Sequence, residues 1–171
     1  MISIVKATEI DYKAIVKIGK ISVAEAHKES CSVEDMNAFI ERNYNNLSIQ
    51  EELKNSSNIY HILYCNKQPS GFSKIVLNAE HSDIQYKNVT KLDRIYLLKE
   101  IFDLKLGLEL INFNIKIAKQ SNQFAMWLFV WKENHRAVNF YKKIGFKIIG
   151  NYDFKITENH SNPNYQMMLS F

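Results

Sequence analysis

Apolar positions in this chain change period several times, and each change predicts an element. Residues 3–5, Ser-Ile-Val, read as a short strand, and Thr8 is placed to cap a helix with Tyr12, Ile15, Ile18 and Gly19 on one apolar or small face. Ser32-Val33-Glu34-Asp35 is a capped start for a second helix, with Met36, Phe39, Ile40 and Tyr44 on one side. A third, shorter helix is expected from Ser48, with Glu51 in the capping-box position. Two apolar runs of β type, 59–65 and 71–77, flank NKQPSG and predict a hairpin. Residues 89–98 make another strand.

The second half is easier to divide. Over 106–120, Leu106, Leu110, Phe113 and Ile117 recur at helical spacing, while Glu109, Asn112, Lys116 and Lys119 form a polar stripe. Residues 124–131 are apolar without alternation, as in a strand buried on both faces. A last helix is expected over 134–144. Asn134 is a favoured N-cap and Gly145 is free to take the left-handed conformation that ends a helix. Strands follow near 146–154 and 165–171. The order is strand, helices, three strands, helix, strand, helix, two strands, with no Gly/Ser linker and no repeat. That predicts one α/β domain over 1–171 with a mixed sheet.

Composition narrows the class. In 171 residues, 46% are hydrophobic and 23% charged, which is globular and enough for one substantial core. The net charge of +4 is spread along the chain, so it argues weakly for anionic ligands and against a nucleic-acid partner. Cys31 and Cys65 form no metal-ligand spacing, and His27, His61 and His81 are too scattered for a metal site. The N-terminus lacks a signal-peptide core, and FAMWLFVW is too short to span a bilayer. A cytoplasmic protein without a membrane role is expected.

Two blocks, IYLLKEIFDLKLGLELI and VWKENHRAVNFYKKIGF, resemble the GNAT superfamily of acyl-CoA N-acyltransferases. The pattern N-x-x-A-x-x-x-Y-x-x-x-G-F is complete at Asn134, Ala137, Tyr141, Gly145 and Phe146. The segment ISVAEAHKESCSVEDMNAFI is similar to the helix pair of bacterial members related to polyamine acetyltransferases. The family's phosphate loop, Gln/Arg-x-x-Gly-x-Gly/Ala, falls on F-D-L-K-L-G at 102–107, where only Gly107 matches. Pyrophosphate in such a loop is bound mainly by backbone N–H groups and the helix N-terminus, which need no particular side chain. Lys105, at the middle glycine, must adopt a compatible φ, or the loop must differ in shape.

The resemblance implies a mostly antiparallel sheet with a splayed parallel strand pair, flanked by helices. It also implies acetyl-CoA as co-substrate, no metal, and a small amine, polyamine or protein amino group as acceptor. A homodimer is left open. The implied cofactor contacts are Ile95, Tyr96 and Leu97 on the strand, Asp103, Leu104, Lys105, Leu106, Gly107 and Leu108 on the loop, and Asn134. Tyr141 is implied as the acid that protonates the leaving thiolate, with a backbone N–H near Leu97 for the acyl oxygen. No base is evident among Asp93, Glu80, Glu25 and His27. Trp131 is a candidate lining for the acyl pocket, and Lys142-Lys143 a candidate contact for the 3′-phosphate end of CoA. The competing reading is a non-catalytic CoA-binding or interaction module with an eroded loop.

Overall fold

β1 (Ile2–Lys6) opens the chain in the computed structural model, which describes residues 1–171. Thr8 then starts a helical turn at Glu9–Asp11, where its N–H and hydroxyl both donate to the Asp11 carboxylate at 2.8 and 2.9 Å. That turn runs into α1 (Tyr12–Ala26). α2 (Val33–Asn43) is capped as expected, the Ser32 hydroxyl accepting from the Asp35 N–H at 3.1 Å.

α3 spans Asn46–Lys54, so it begins before Ser48. Its cap is Asn45, whose side-chain oxygen accepts the Ser48 N–H at 2.9 Å, and Glu51 pairs with Lys54 instead. The hairpin is also tighter than expected. β2 (Asn58–Cys65) and β3 (Gln68–Val76) are joined by Asn66 and Lys67 alone, at φ 50° and 66°. Two positive φ values define the turn that matches strand twist. Pro69 lies inside β3, where Tyr64 pairs with Pro69 and Leu63 with Gly71. This bulge leaves one residue unpaired and accommodates a proline within the strand.

β4 (Val89–Leu97) is followed by a short 3-10 helical segment, Lys99–Leu104, that the sequence pattern did not suggest. Then come α4 (Leu106–Gln120), β5 (Ala125–Trp131), α5 (His135–Ile144), β6 (Lys147–Lys155) and β7 (Ser161–Ser170). β7 starts earlier than its apolar end suggests, because Asn162, Asn164 and Gln166 are buried polar residues on one of its faces.

The seven strands form one sheet in the order β1-β2-β3-β4-β5-β7-β6. Every pairing is antiparallel except β4 with β5. Two cores sandwich the sheet. On one face α1, α2 and α3 pack Ile15, Ile18, Met36 and Ile49 against Tyr60, Ile62 and Phe72. On the other, α4 and α5 pack Ile111, Val138 and Tyr141 against Leu92, Met126, Leu128 and Met167. Gly19 in α1 is required by close approach: a Cβ there would lie 2.1 Å from a Tyr44 ring carbon. No helix is long and apolar enough to cross a membrane.

Candidate active site

β4 and β5 pair only at Val89–Ala125, Thr90–Met126 and Lys91–Trp127. Beyond Lys91 the two strands separate and a gap opens in the sheet. On the β3 side, the Leu98 N–H donates to the Ser70 carbonyl at 2.8 Å, with Gly71 opposite Leu97 and Ser73 opposite Ile95. Antiparallel ladders alternate which residues bond across, so the backbone groups of Ile95 and Leu97 point away from β3, toward the gap. The same alternation turns the Tyr96 backbone to β3 and leaves its side chain as its contribution. The Leu97 carbonyl is met by the Ser22 hydroxyl of α1, which donates at 3.0 Å. The Leu97 N–H faces the gap.

A cleft of about 1440 Å³ runs through this gap and touches both faces of the sheet. Of the residues singled out from the sequence, Ile95, Tyr96, Leu97, Lys105, Gly107, Leu108, Asn134 and Tyr141 line it. Asp103 and Leu104 are exposed outside it, and Leu106 turns inward to pack with Leu63, Ile101 and Leu110. Leu106 therefore offers only its backbone N–H.

The loop achieves its shape without the missing glycine. Lys105 takes φ 56°, ψ 16°, the left-handed conformation expected of that position. α4 starts immediately afterwards; its Leu108 N–H donates to the Lys105 carbonyl at 3.0 Å, while the Leu106 and Gly107 amides before it are the ones a helix start leaves for a ligand. Gly107 brings that turn close to α5: a Cβ there would contact Phe140 at 3.6 Å and Leu97 at 3.7 Å. The Arg136 guanidinium sits 3.5 Å over the Phe102 ring, which occupies the Gln/Arg position of the loop pattern. Lys99, Arg136 and Lys143 line this end beside Lys105. Lys99 and Arg136 match no position of the loop and helix patterns, although both lie inside the two quoted blocks.

Asn134 caps α5, its oxygen accepting from the Ala137 N–H at 3.1 Å, which leaves its NH₂ for the cleft. Gly145 ends the helix at φ 111°. Tyr141 packs edge-on to Phe140 and Phe146. Burial, with the Tyr96 phenol nearby, pushes the Tyr141 hydroxyl above its ordinary value of 10, so it stays protonated at neutral pH.

The four carboxylate and imidazole candidates separate. Glu80 lies outside the cleft, while Glu25, His27 and Asp93 line it. Burial would raise the Asp93 pKa, but Lys74, Lys91 and Arg94 outweigh it and hold the carboxyl at about 2. Its ion pairs are 2.7 Å to Lys91 and 3.1 Å to Lys74. A carboxylate so held is a poor base. Burial lowers His27 to about 4, and its Nδ1 has no hydrogen-bond partner. Trp131 lines the cleft 5.8 Å from the His27 ring, whereas Trp127 is a core residue whose indole N–H donates to Ala79 at 2.8 Å.

The model of the acetyltransferase (GNAT) family matches residues 20–146. A relative described as an uncharacterized N-acetyltransferase of Lactobacillus delbrueckii subsp. lactis is 26% identical over 144 residues, covering 84% of this chain and 83% of the relative. Among solved structures, the PaiA N-acetyltransferase of Thermoplasma acidophilum, crystallised with coenzyme A, superposes with TM-score 0.80 at 20% identity, over 100% of this chain and 99% of that one. The acetyltransferase of the GNAT family from Streptococcus pneumoniae gives TM-score 0.70 at 19% identity, over 100% of both chains. At these identities the two structures show the shared fold.

Proposed function

The chain belongs to the acetyltransferase (GNAT) family, and from that premise we propose that it transfers an acetyl group from acetyl-CoA to a primary amine by direct attack. The observation that carries this reading is the separation of β4 from β5 beyond Lys91, which leaves the Ile95 backbone groups and the Leu97 N–H free beside the start of α4. Free strand groups, a helix start and a run of cations suit an amide-bearing, phosphorylated ligand. The residues present fit CoA.

Acetyl-CoA supplies the activated acyl group as a thioester. Lys105, Lys99 and Arg136 neutralise phosphate charge, while the first amides of α4 donate to phosphate oxygens. Ile95 pairs through its backbone with the amide-bearing arm. The Leu97 N–H donates to the acyl oxygen as charge builds there, and Ser22 holds the strand end that carries it. The Tyr141 hydroxyl gives its proton to the departing sulfur. Asn134 donates from its NH₂ to cofactor or water.

The acceptor must lose a proton before attack, since an alkylamine has a pKa of about 10.4. Neither His27, held at about 4 by burial, nor Asp93, held at about 2 by three cations, is basic enough to take that proton, so the amine enters the cleft already neutral. Proximity and orientation supply much of the remaining rate.

Lys105 in the left-handed conformation weighs against the alternative of a non-catalytic module with a broken loop. Calorimetry with acetyl-CoA tests the cofactor step. Binding with a single site is expected. Folded protein that takes up no heat at millimolar acetyl-CoA removes the cofactor and the enzyme together.

A further inference from the structure

The cleft has two ends with different chemistry. The end on the α4 and α5 face carries Lys99, Lys105, Arg136 and Lys143, and the reading above gives it to CoA. The end on the α1 and α2 face is what that reading leaves for the acceptor. Its walls are Met36 and Phe39 of α2, Trp131 of β5, and Phe154 at the end of β6. Phe39 and Phe154 meet edge to face at 6.2 Å, so a largely apolar slot faces the gap.

The ionic groups at this end do not suit a polycation. Glu25 and Asp93 are the two carboxylates that line the cleft, against Lys28, Arg42, Lys91, Arg94 and Lys155. Asp93 is already held by Lys74 and Lys91, and Glu52 pairs with Arg94 at 2.9 Å. Lys155 pairs with Glu158 at 2.9 Å. Arg42 stands apart. One of its nitrogens, Nη2, donates to the Ile156 carbonyl at 2.9 Å, and its guanidinium lies 5.9 Å from the Phe39 ring centre. Asp35 and Glu158 share a smaller recess with it, yet no carboxylate reaches it at ion-pair distance. The fork is left with donors unused, at the rim of an aromatic slot.

We propose that the acceptor is a monoamine with an apolar body and an anionic group at the far end, the anion held by Arg42, and not a free polyamine. The inference rests on the acetyltransferase reading. In it the amine reaches toward Leu97 and Tyr141, the apolar body lies along Phe39, Phe154 and Trp131, and the anion meets the guanidinium. A polyamine would bring two or more cations into a slot with one unengaged carboxylate, the exposed Glu25, and would meet Lys28 and Arg42 at the mouth. Like charges there oppose both encounter and binding.

The test is calorimetry on the protein loaded with CoA, using para-carboxyphenethylamine, phenethylamine and spermidine. The carboxylated probe should bind about tenfold or more tighter than either other probe, as one charge-assisted bond implies. In Arg42→Gln, which keeps a donor for Ile156, its advantage over phenethylamine should shrink to about twofold or less. Lys28→Gln, an exposed site, gives a second check with a smaller loss of the same sign. Spermidine binding as tightly as the carboxylated probe overturns the proposal. So does equal affinity of the two aromatic amines, or failure of all three to bind. The CoA titration that precedes loading reports on the cofactor reading by itself, so a failure there is distinguishable from a failure here.

Discussion

The Ser22 hydroxyl donates to the Leu97 carbonyl at 3.0 Å, joining the fourth turn of α1 to the end of β4 across 75 residues of chain. Leu97 carries the N–H assigned to the acyl oxygen in the proposed reaction, and this bond fixes the strand end that bears it. Ser22→Ala leaves a part-buried carbonyl without its donor. The expected cost is about 1–3 kcal/mol of stability, read as a lower urea midpoint with unchanged slope. kcat should fall more than the KM for acetyl-CoA rises. Equal effects on both would make Ser22 purely structural.

Tyr141→Phe should keep acetyl-CoA affinity and lose turnover. The ring is packed between Phe140 and Phe146, so phenylalanine preserves the packing and removes only the proton. General acid catalysis contributes about 10²–10⁴-fold, and a fall of that size in kcat is expected. Because burial raises the phenol above 10, no alkaline loss of wild-type activity below pH 10 should belong to this group. Wild-type kcat in the variant would return Tyr141 to the core.

At Gly107 the two halves of the site can be separated. A Cβ would make only ordinary contacts with Phe140 and Leu97, so Gly107→Ala fits the fold. It should gain about 0.5–1 kcal/mol, since glycine is a poor helix former. Gly107→Val should fold as well yet weaken acetyl-CoA binding strongly, because a branched side chain crowds the first turn of α4. Normal binding by the valine variant would show that the loop alignment is wrong.

Lys105 bears the opposite trade. A non-glycine residue at φ 56° is strained by roughly 1 kcal/mol, so Lys105→Gly should raise stability by up to about that amount. The same change removes a cation beside the phosphates and should weaken CoA binding severalfold, consistent with about 1 kcal/mol or less for one exposed pair. Thermal unfolding and calorimetry on one variant check both signs.

Acid should destabilise the fold earlier than its carboxylates require. Burial lowers His61 from 6.5 to about 4, and the same cause lowers His27 to about 4. A depressed histidine binds fewer protons folded than unfolded, so stability is full above 6.5 and is lost as pH falls toward 4. Each group contributes a slope of at most about 1.4 kcal/mol per pH unit in that window. His61→Gln should remove up to about one proton's worth of the slope. An unchanged slope would mean that His61 titrates alike in both states.

Local chemistry made much of this fold readable. Asn134 and Gly145 bracket α5 as their cap preferences dictate, and the apolar stripe of α4 gives the helix its observed bounds, Leu106–Gln120. Errors arose where one local signal competed with another. NKQPSG reads as the connection between two apolar runs, but Gln68, Pro69 and Ser70 belong to β3, where a bulge absorbs the proline. Ser48 read as a cap, yet Asn45 lies three residues before it and takes the role. The site was legible only as far as it is local. The Ser22–Leu97 bond and the stacking of Arg136 on Phe102 join residues far apart in sequence, and no period reports them. The seat of Arg42 likewise depends on the contact of α2 with the β6–β7 connection, where its guanidinium meets the Ile156 carbonyl.

The central claim is that this gap transfers an acetyl group to an amine, and product formation tests it most directly. Purified protein, acetyl-CoA and an excess primary amine should give free CoA thiol and N-acetylated amine in equal amounts, above hydrolysis without amine. Tyr141→Phe should abolish most of both together. Acetyl-CoA bound in the gap with no amine-dependent thiol and no acetylated product, across anionic, neutral and cationic amines, would contradict the claim.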